Sequence, residues 1–405
     1  MARTARADVG PLAPFADGYR EMLAGLGYTS DGVVRKLWEL GRLSDWMIAG
    51  GLDADDLSAD RVQEFSALCK RGDERPAGRR TLEPLLRHLR VLGVVPGEAV
   101  GAAPTDALIF RYRAWMINDR ALAVRTVGRY EATARRFLAS RAELTGGCGA
   151  EDLSGVEVTG FLLAECQRVS IGSAKGRVAE LRSLLRFLFI EGWTEVALAA
   201  SIPTVAGWRD TALPPTLTRA EVEAILAACD RATVTGRRDF AIVMILARLG
   251  LRAAEVGGLE LGDVDWRAGE LVVWGKARRD DRLPLPVDVG EAIVAYLQGG
   301  RPDTPCRAVF VTRFAPLKAL APQTVSKVVY AASGRAGMDP KVCSHRLRHA
   351  LATDMLRHGA ALPEISQVLR HRDLATTAIY AKVDHDRLRE LALPWPGSQP
   401  QAVSS

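Results

Sequence analysis

The sequence predicts a mainly α protein with a small antiparallel β-sheet in its C-terminal domain: two helical domains followed by an α+β domain. Three observations predict it. Apolar residues recur at three- and four-residue spacing through most of the first two hundred or so positions, as amphipathic helices require. Two stretches rich in Gly, Pro and Ala, at 94–104 and 212–216, interrupt that pattern, and the double proline Pro214-Pro215 continues no helix. Beyond the second stretch, short runs of strand-forming residues flank a polar turn.

These breaks divide the chain into 1–95, 105–207 and 213–396, with a polar tail at 397–405. The first two pieces resemble each other, so the helical domain reads as duplicated, with four or five helices per copy. Leu57-Ser58 and Phe65 match Leu153-Ser154 and Phe161 at a constant offset of 96. Leu82, Leu85, Leu86, Arg87, Leu89 and Gly93 match Leu181, Leu184, Leu185, Arg186, Leu188 and Gly192 at an offset of 99. Chance likeness of leucine-rich helices is the competing explanation; the shared order of Leu-Ser, Phe and terminal Gly argues against it. The second copy carries Arg125, Arg129, Arg135, Arg136, Arg177, Arg182 and Arg186 on its predicted helices. Solvated helix faces often look like this. As a group, these arginines suit DNA-phosphate contacts that set position without reading bases.

The third piece mixes element types. Thr218-Arg219-Ala220-Glu221 is a capping box that opens a helix running to about Cys229. Helices are predicted over 239–251 and 253–259. The runs 270–274 and 282–285 flank a polar turn holding Gly275-Lys276 and predict a hairpin, and 309–311 predicts a further strand. Helices are then expected over 324–334, 346–358, 362–369, 374–381 and 387–393, the last closed by Pro394-Trp395-Pro396.

Formal net charge is +6 from 54 basic and 48 acidic residues, so charge alone favours a polyanionic partner only weakly. The cysteines Cys69, Cys148, Cys166, Cys229, Cys306 and Cys343 lie far apart with no Cys-x-x-Cys pair, which reads as reduced thiols of a cytosolic protein. The N-terminus lacks the apolar core of a secretory signal. No uncharged apolar run reaches the ~20 residues needed to cross a bilayer. A cytoplasmic protein acting at the bacterial nucleoid, with no membrane partner, is the expectation.

Three stretches carry the chemistry: Gly250-Leu251-Arg252-Ala253-Ala254-Glu255, Ser344-His345-Arg346-Leu347-Arg348-His349, and Arg370-His371 with Tyr380 nine positions on. Lys276 lies between the first two. The inventory suits a phosphodiester. Arginine answers the charge on non-bridging oxygens because its planar fork donates parallel hydrogen bonds and stays ionised. Imidazoles can move protons, a lysine can protonate a leaving oxygen, and a phenol can act as nucleophile. Mundane alternatives exist for each: Arg252 could simply pair with Glu255, Arg348 could be a surface charge, and Tyr380 could be a packed helix residue. His345, His349 and His358 lie on or near one helix, but no carboxylate or cysteine at ligand spacing joins them, so a metal site is not expected.

Taken together and in chain order, Arg252, Lys276, His345, Arg348, His371 and Tyr380 resemble the Arg, Lys, His-x-x-Arg, His or Trp, and Tyr of the tyrosine recombinases, the phage integrase family. The framing Leu251-Arg252-x-x-Glu255 with Leu259 and Asp263 is similar too. The likeness covers about 217–385, and 105–207 is similar to the family's core-DNA-binding domain. It implies a catalytic domain that cleaves and rejoins double-stranded DNA at specific recombination sites with no metal, ATP or other cofactor, through a 3′-phosphotyrosyl bond at Tyr380. It also implies a homotetramer on synapsed DNA, with or without sister recombinases, and strand exchange through a Holliday junction in integration, excision or transposition of a mobile element. The segment 386–393 stands where the family's protomer-docking helix should be. Two departures are visible: Arg370-His371-Arg372 replaces the frequent Gly-His-Ser, and Arg346 stands where an acid is frequent. Type IB topoisomerase-like strand relaxation, or a DNA-binding accessory protein with a dead site, are the competing functions.

Overall fold

The structure is a computed structural model that describes residues 10–71, 79–95, 104–145, 150, 152–204, 216–275, 280–371 and 377. Among the described residues it is mostly helical, with one three-stranded antiparallel sheet, as expected. The chain forms two compact units: Asp53–Arg209, and a second composed of Met1–Leu52 together with Asp210–Ser405.

The chain opens with α1 (Ala16–Gly25) and α2 (Ser30–Ala49), the latter capped by the Thr29 hydroxyl. Both belong to the unit that contains the C-terminal half, where the Leu317 N–H donates to the Leu26 carbonyl at 2.9 Å. This grouping divides the chain between α2 and the following helix, whereas the glycine- and proline-rich stretch places a boundary after residue 95.

The other unit holds α3 (Ala59–Arg71), α4 (Arg79–Val91), α5 (Pro104–Asn118), α6 (Val124–Thr145), α7 (Gly155–Gln167) and α8 (Ile171–Ile190). Its core of Leu108, Tyr112, Phe137, Leu181, Leu184, Phe187 and Leu188 comes from the apolar stripes of α5, α6 and α8. The likeness in sequence extends to the backbone at two helix ends. After α4, the N–H groups of Leu92, Gly93 and Val94 donate to His88, Arg90 and Leu89; after α8, those of Glu191, Gly192 and Trp193 donate to Phe187, Phe189 and Leu188. Gly93 and Gly192 share the same left-handed φ of 73°, which a residue with a Cβ adopts only at a cost.

In the C-terminal half, the Thr218–Glu221 capping box opens α9 (Arg219–Ala227), as expected. Next comes α10 (Val234–Leu249), whose Ala241–Leu246 stretch is buried on every side, the mark of a helix at the centre of a domain. It starts five residues earlier than its apolar pattern predicts, because the polar turn Thr233–Gly236 supplies the cap: Thr233 Oγ1 accepts the Gly236 N–H at 3.0 Å. There follow α11 (Ala253–Gly258), β1 (Val264–Asp265), β2 (Glu270–Trp274) and β3 (Asp280–Pro284) in spatial order β1-β2-β3. The predicted hairpin is present; β1 is too short to leave a pattern.

Sequence reasoning missed α12 (Val287–Gly299), although Val289, Ala292, Ile293 and Tyr296 are buried at helical spacing against α10. The expected strand at 309–311 is not one. Ala308 and Val311 make isolated bridges to Glu260 and Ala319, and Val309 donates to the Leu259 carbonyl, so the segment is an apolar loop threaded through the core. The domain is completed by α13 (Pro322–Arg335), α14 (Ser344–Arg357) and α15 (Leu362–Leu369). The predicted helices at 374–381 and 387–393 lie outside the described residues, apart from Thr377. Among the described residues no helix is long and apolar enough to cross a membrane.

Candidate active site

The site begins where α10 ends. Gly250 closes that helix in the left-handed conformation, φ 59°, and a Cβ there would come within 2.9 Å of both Leu351 Cδ2 and Leu369 Cδ2. Conformation and space both demand glycine. Two residues on, Arg252 occupies the N-cap of α11. Glu255 Oε2 accepts its backbone N–H at 2.7 Å, and Oε1 accepts from its Nη1 at 2.7 Å. The local pair with Glu255 is therefore present, yet the Arg252 side chain remains 45% exposed while Glu255 is 7% exposed. One face of that guanidinium still reaches solvent.

Arg348 is no surface charge: only 2% exposed, it is the largest fully buried side chain. From α14 its Nη1 donates to the Gly250 carbonyl and its Nη2 to the Leu369 carbonyl. It thereby ties together the segment before Arg252, its own helix, and the segment before His371. Both of these acceptors are neutral carbonyls, which hold the guanidinium in place without themselves adding negative charge.

Arg370 caps α15 at φ 53°, a left-handed position usually given to glycine. Any other residue costs about 1–2 kcal/mol there. Its side chain, 8% exposed, is held: Nη2 donates to Glu255 Oε2 at 2.7 Å, and Nε lies 3.8 Å from Asp281 Oδ2 on β3.

The histidines line the same region. The His345 and His349 rings meet edge to face, 4.4 Å between centroids. His371 Nδ1 lies 2.7 Å from Thr377 Oγ1, and Thr377 is fully buried. Desolvation, then the Arg348 and Arg252 guanidinium groups, push the His345 pKa below its ordinary value. Desolvation first, then neighbouring charge, push His349 and His371 further, each to about 4. In the absence of DNA all three imidazoles are thus held towards their neutral form at pH 7.

The structure brings Arg252, His345, Arg348 and His371 together. Lys276 and Tyr380 lie outside the described residues; Gly275 and the strands flanking Lys276 lie within them. Sequence reasoning missed two organising residues, Glu255 as a shared acceptor and Thr377 as the His371 partner. Glu255 had a signal in its Arg-x-x-Glu spacing; Thr377 had none.

The seven arginines of the helical unit are placed differently from one another. Arg129 and Arg177 pair with Glu180 at 2.6 Å each, Arg135 with Asp106 at 2.6 Å, and Arg136 with Glu165 at 3.1 Å. Arg182 donates inward to the Ile202 carbonyl at 2.6 Å, whereas Arg186 is exposed. Arg129 and Arg135 keep 60% and 53% of their side chains exposed. The side chain of Arg125 lies outside the described set.

Comparison with known proteins shows the family. Residues 215–387 match the phage integrase family. A relative from Sinorhizobium fredii (strain NBRC 101917 / NGR234), named integrase/recombinase y4rA, is 37% identical over 401 residues, covering 96% of this chain and 95% of the relative. The chain belongs to the phage integrase family of tyrosine recombinases. Site-specific DNA recombination is the activity that this membership brings. The recombinase is also similar to tyrosine recombinase XerA of Thermococcus onnurineus (strain NA1), at 33% identity over 266 residues, 65% of this chain and 87% of that one. Its fold matches the solved XerH recombinase bound to palindromic difH substrate (TM-score 0.55, 19% identity, 73% of this chain and 99% of that one). It also matches a lambda integrase tetramer bound to a Holliday junction (TM-score 0.53, 16% identity, 77% and 90%).

Proposed function

We propose that this recombinase cleaves and rejoins DNA through a 3′-phosphotyrosyl intermediate at Tyr380, with no metal or nucleotide consumed. The supporting observation is the position of Arg348. Buried between the Gly250 and Leu369 carbonyls, it gathers Arg252, His345 and His371 from three distant stretches into one cationic site.

The Tyr380 oxygen attacks the scissile phosphorus, the P–O5′ bond breaks, and Lys276 protonates the departing 5′ oxygen. His345 takes the phenolic proton. A phenol of pKa about 10 is ionised in roughly one molecule in a thousand at pH 7, a deficit of ~4 kcal/mol. Arg252 and Arg348 reduce it by stabilising charge on the non-bridging oxygens, and the His371 Nε2–H donates to the same group. The free site makes His345 a weak base; an incoming phosphate raises its pKa, so proton acceptance becomes competent when DNA is bound. A 5′-hydroxyl from a partner duplex then attacks the phosphotyrosyl bond and releases Tyr380. One P–O bond forms for each one broken, in both steps.

In this scheme 105–207 serves as the core-DNA-binding domain and 1–95 as its duplicated copy, with Arg125, Arg129, Arg135, Arg136 and Arg186 as candidate phosphate contacts. Four protomers act on two sites in integration, excision or transposition of a mobile element. Support for DNA as partner comes from the similar proteins: a Xer tyrosine recombinase, an integrase/recombinase, and a lambda integrase tetramer bound to a Holliday junction.

The test is a suicide DNA substrate, nicked so that the short fragment bearing the freed 5′-hydroxyl escapes. The recombinase should yield a denaturation-resistant protein–DNA adduct, and Tyr380→Phe should bind the DNA yet yield none. An unchanged adduct with Tyr380→Phe would remove Tyr380 from the chemistry.

A further inference from the structure

We infer that Arg370 is a positioning residue for Arg252, acting through the carboxylate that the two share; the inference rests on the function proposed above. The geometry is reciprocal. Glu255 Oε1 accepts from Arg252 Nη1 at 2.7 Å, while Oε2 is held by Arg370 Nη2 at 2.7 Å as well as by the Arg252 backbone. Arg252 Nη2 in turn points to the Arg370 carbonyl at 3.4 Å. With Arg370 in place, the Glu255 side chain offers Arg252 one oxygen and no bidentate grip. Without it, Oε2 keeps only the Arg252 backbone bond and has a lone pair open to complete the parallel fork that carboxylates and guanidinium groups favour. Arg252 would then be drawn onto Glu255 and away from a phosphate.

Two further observations separate Arg370 from an ordinary helix cap. Its backbone is left-handed, where glycine would sit without strain, so nothing about the turn itself calls for arginine. Its buried Nη1 has no hydrogen-bond partner among the described residues, so the side chain is not kept for full satisfaction of its donors. Its Nε also faces Asp281 of β3, 3.8 Å away, in the strand that pairs with β2. The guanidinium thus spans the Arg252 segment, the His371 segment and the hairpin.

Single-turnover adduct formation at saturating suicide substrate tests this, together with DNA affinity and thermal midpoint, for wild type, Arg370→Gly, Arg370→Lys, and Arg370→Gly combined with Glu255→Gln. Arg370→Gly should slow adduct formation by about tenfold to a hundredfold, the scale of a misplaced catalytic group. Its DNA affinity should stay near wild type, and relief of the left-handed strain should offset part of the stability lost with the Arg370–Glu255 pair. Arg370→Lys should recover part of the rate, and so should the double variant, whose neutral amide grips Arg252 less. Wild-type rate in Arg370→Gly overturns the inference. So does a rate loss that follows a lowered thermal midpoint with no recovery in the double variant. If wild type gives no Tyr380-dependent adduct, the proposed function fails and the inference falls with it; a Tyr380-dependent adduct that ignores Arg370 leaves the function standing.

Discussion

Arginine is used in opposite ways in the two units. In the helical unit, guanidinium groups are answered by acids: Glu180, 2% exposed, takes Arg129, Arg177 and the Thr133 hydroxyl, and Glu165 takes Arg136. In the catalytic unit, Arg348 is answered by carbonyls, and Arg252 and Arg370 share the single buried carboxylate of Glu255. The first arrangement ties helices together through acids while leaving Arg129 and Arg135 more than half exposed. The second orients the cations with fewer acids than arginines and leaves the Arg252 side chain 45% exposed. What distinguishes a phosphate site from a stabilising network is therefore the chemistry of the answering groups, not the number of arginines.

That contrast can be broken most directly at Arg348. Arg348→Ala should lower adduct formation by about 10²–10³. By stranding the Gly250 and Leu369 carbonyls, it should also cost about 2–4 kcal/mol of stability in urea unfolding. Full stability with lost activity would mean that those carbonyl bonds contribute nothing to folding. Next in size is Glu180→Ala, which removes the acid shared by Arg129, Arg177 and Thr133 and leaves Arg177 only Glu165, at 3.6 Å, as an acidic partner among the described residues. A loss of about 3 kcal/mol is expected, at the low end for a broken buried pair because Arg129 can turn to water. An unaltered unfolding midpoint would show that the helical network is ornamental.

The smallest effect sharpens the comparison through pH. His349 titrates near 4 in the folded chain and near its ordinary 6.5 when unfolded, because burial and the neighbouring cations disfavour its charge. The unfolded chain therefore binds protons first as pH falls. Stability is complete above about 6.5 and declines towards 4. His349→Gln should flatten that decline in unfolding midpoints measured between pH 7 and 4.5. An unchanged slope would show that burial and the neighbouring positive charge do not hold this imidazole neutral.

Much of this was legible in the chain. Capping boxes fixed α9, apolar spacing located α10, α14 and α15, and the order Arg, His-x-x-Arg, His marked the site. Burial was not legible. Arg348 carries the same letters whether it lies on a surface or between two carbonyls 98 and 21 positions away. The α12 helix was missed because attention to the strand-rich stretch hid its four apolar positions, and Val309-Phe310-Val311 looked like a strand because loops that cross a core are apolar too. Arg370 was visible only as a replaced glycine; its link to Glu255, 115 positions away, needs the fold.

The central claim is that the catalytic arginines answer the charge of one phosphate. The most direct test replaces that charge: a suicide substrate with a neutral methylphosphonate at the scissile position, given to wild type and to Arg252→Ala. Arg252→Ala should lose about 10²-fold or more on the ordinary phosphodiester and little on the neutral one. Equal losses on both substrates would contradict the account.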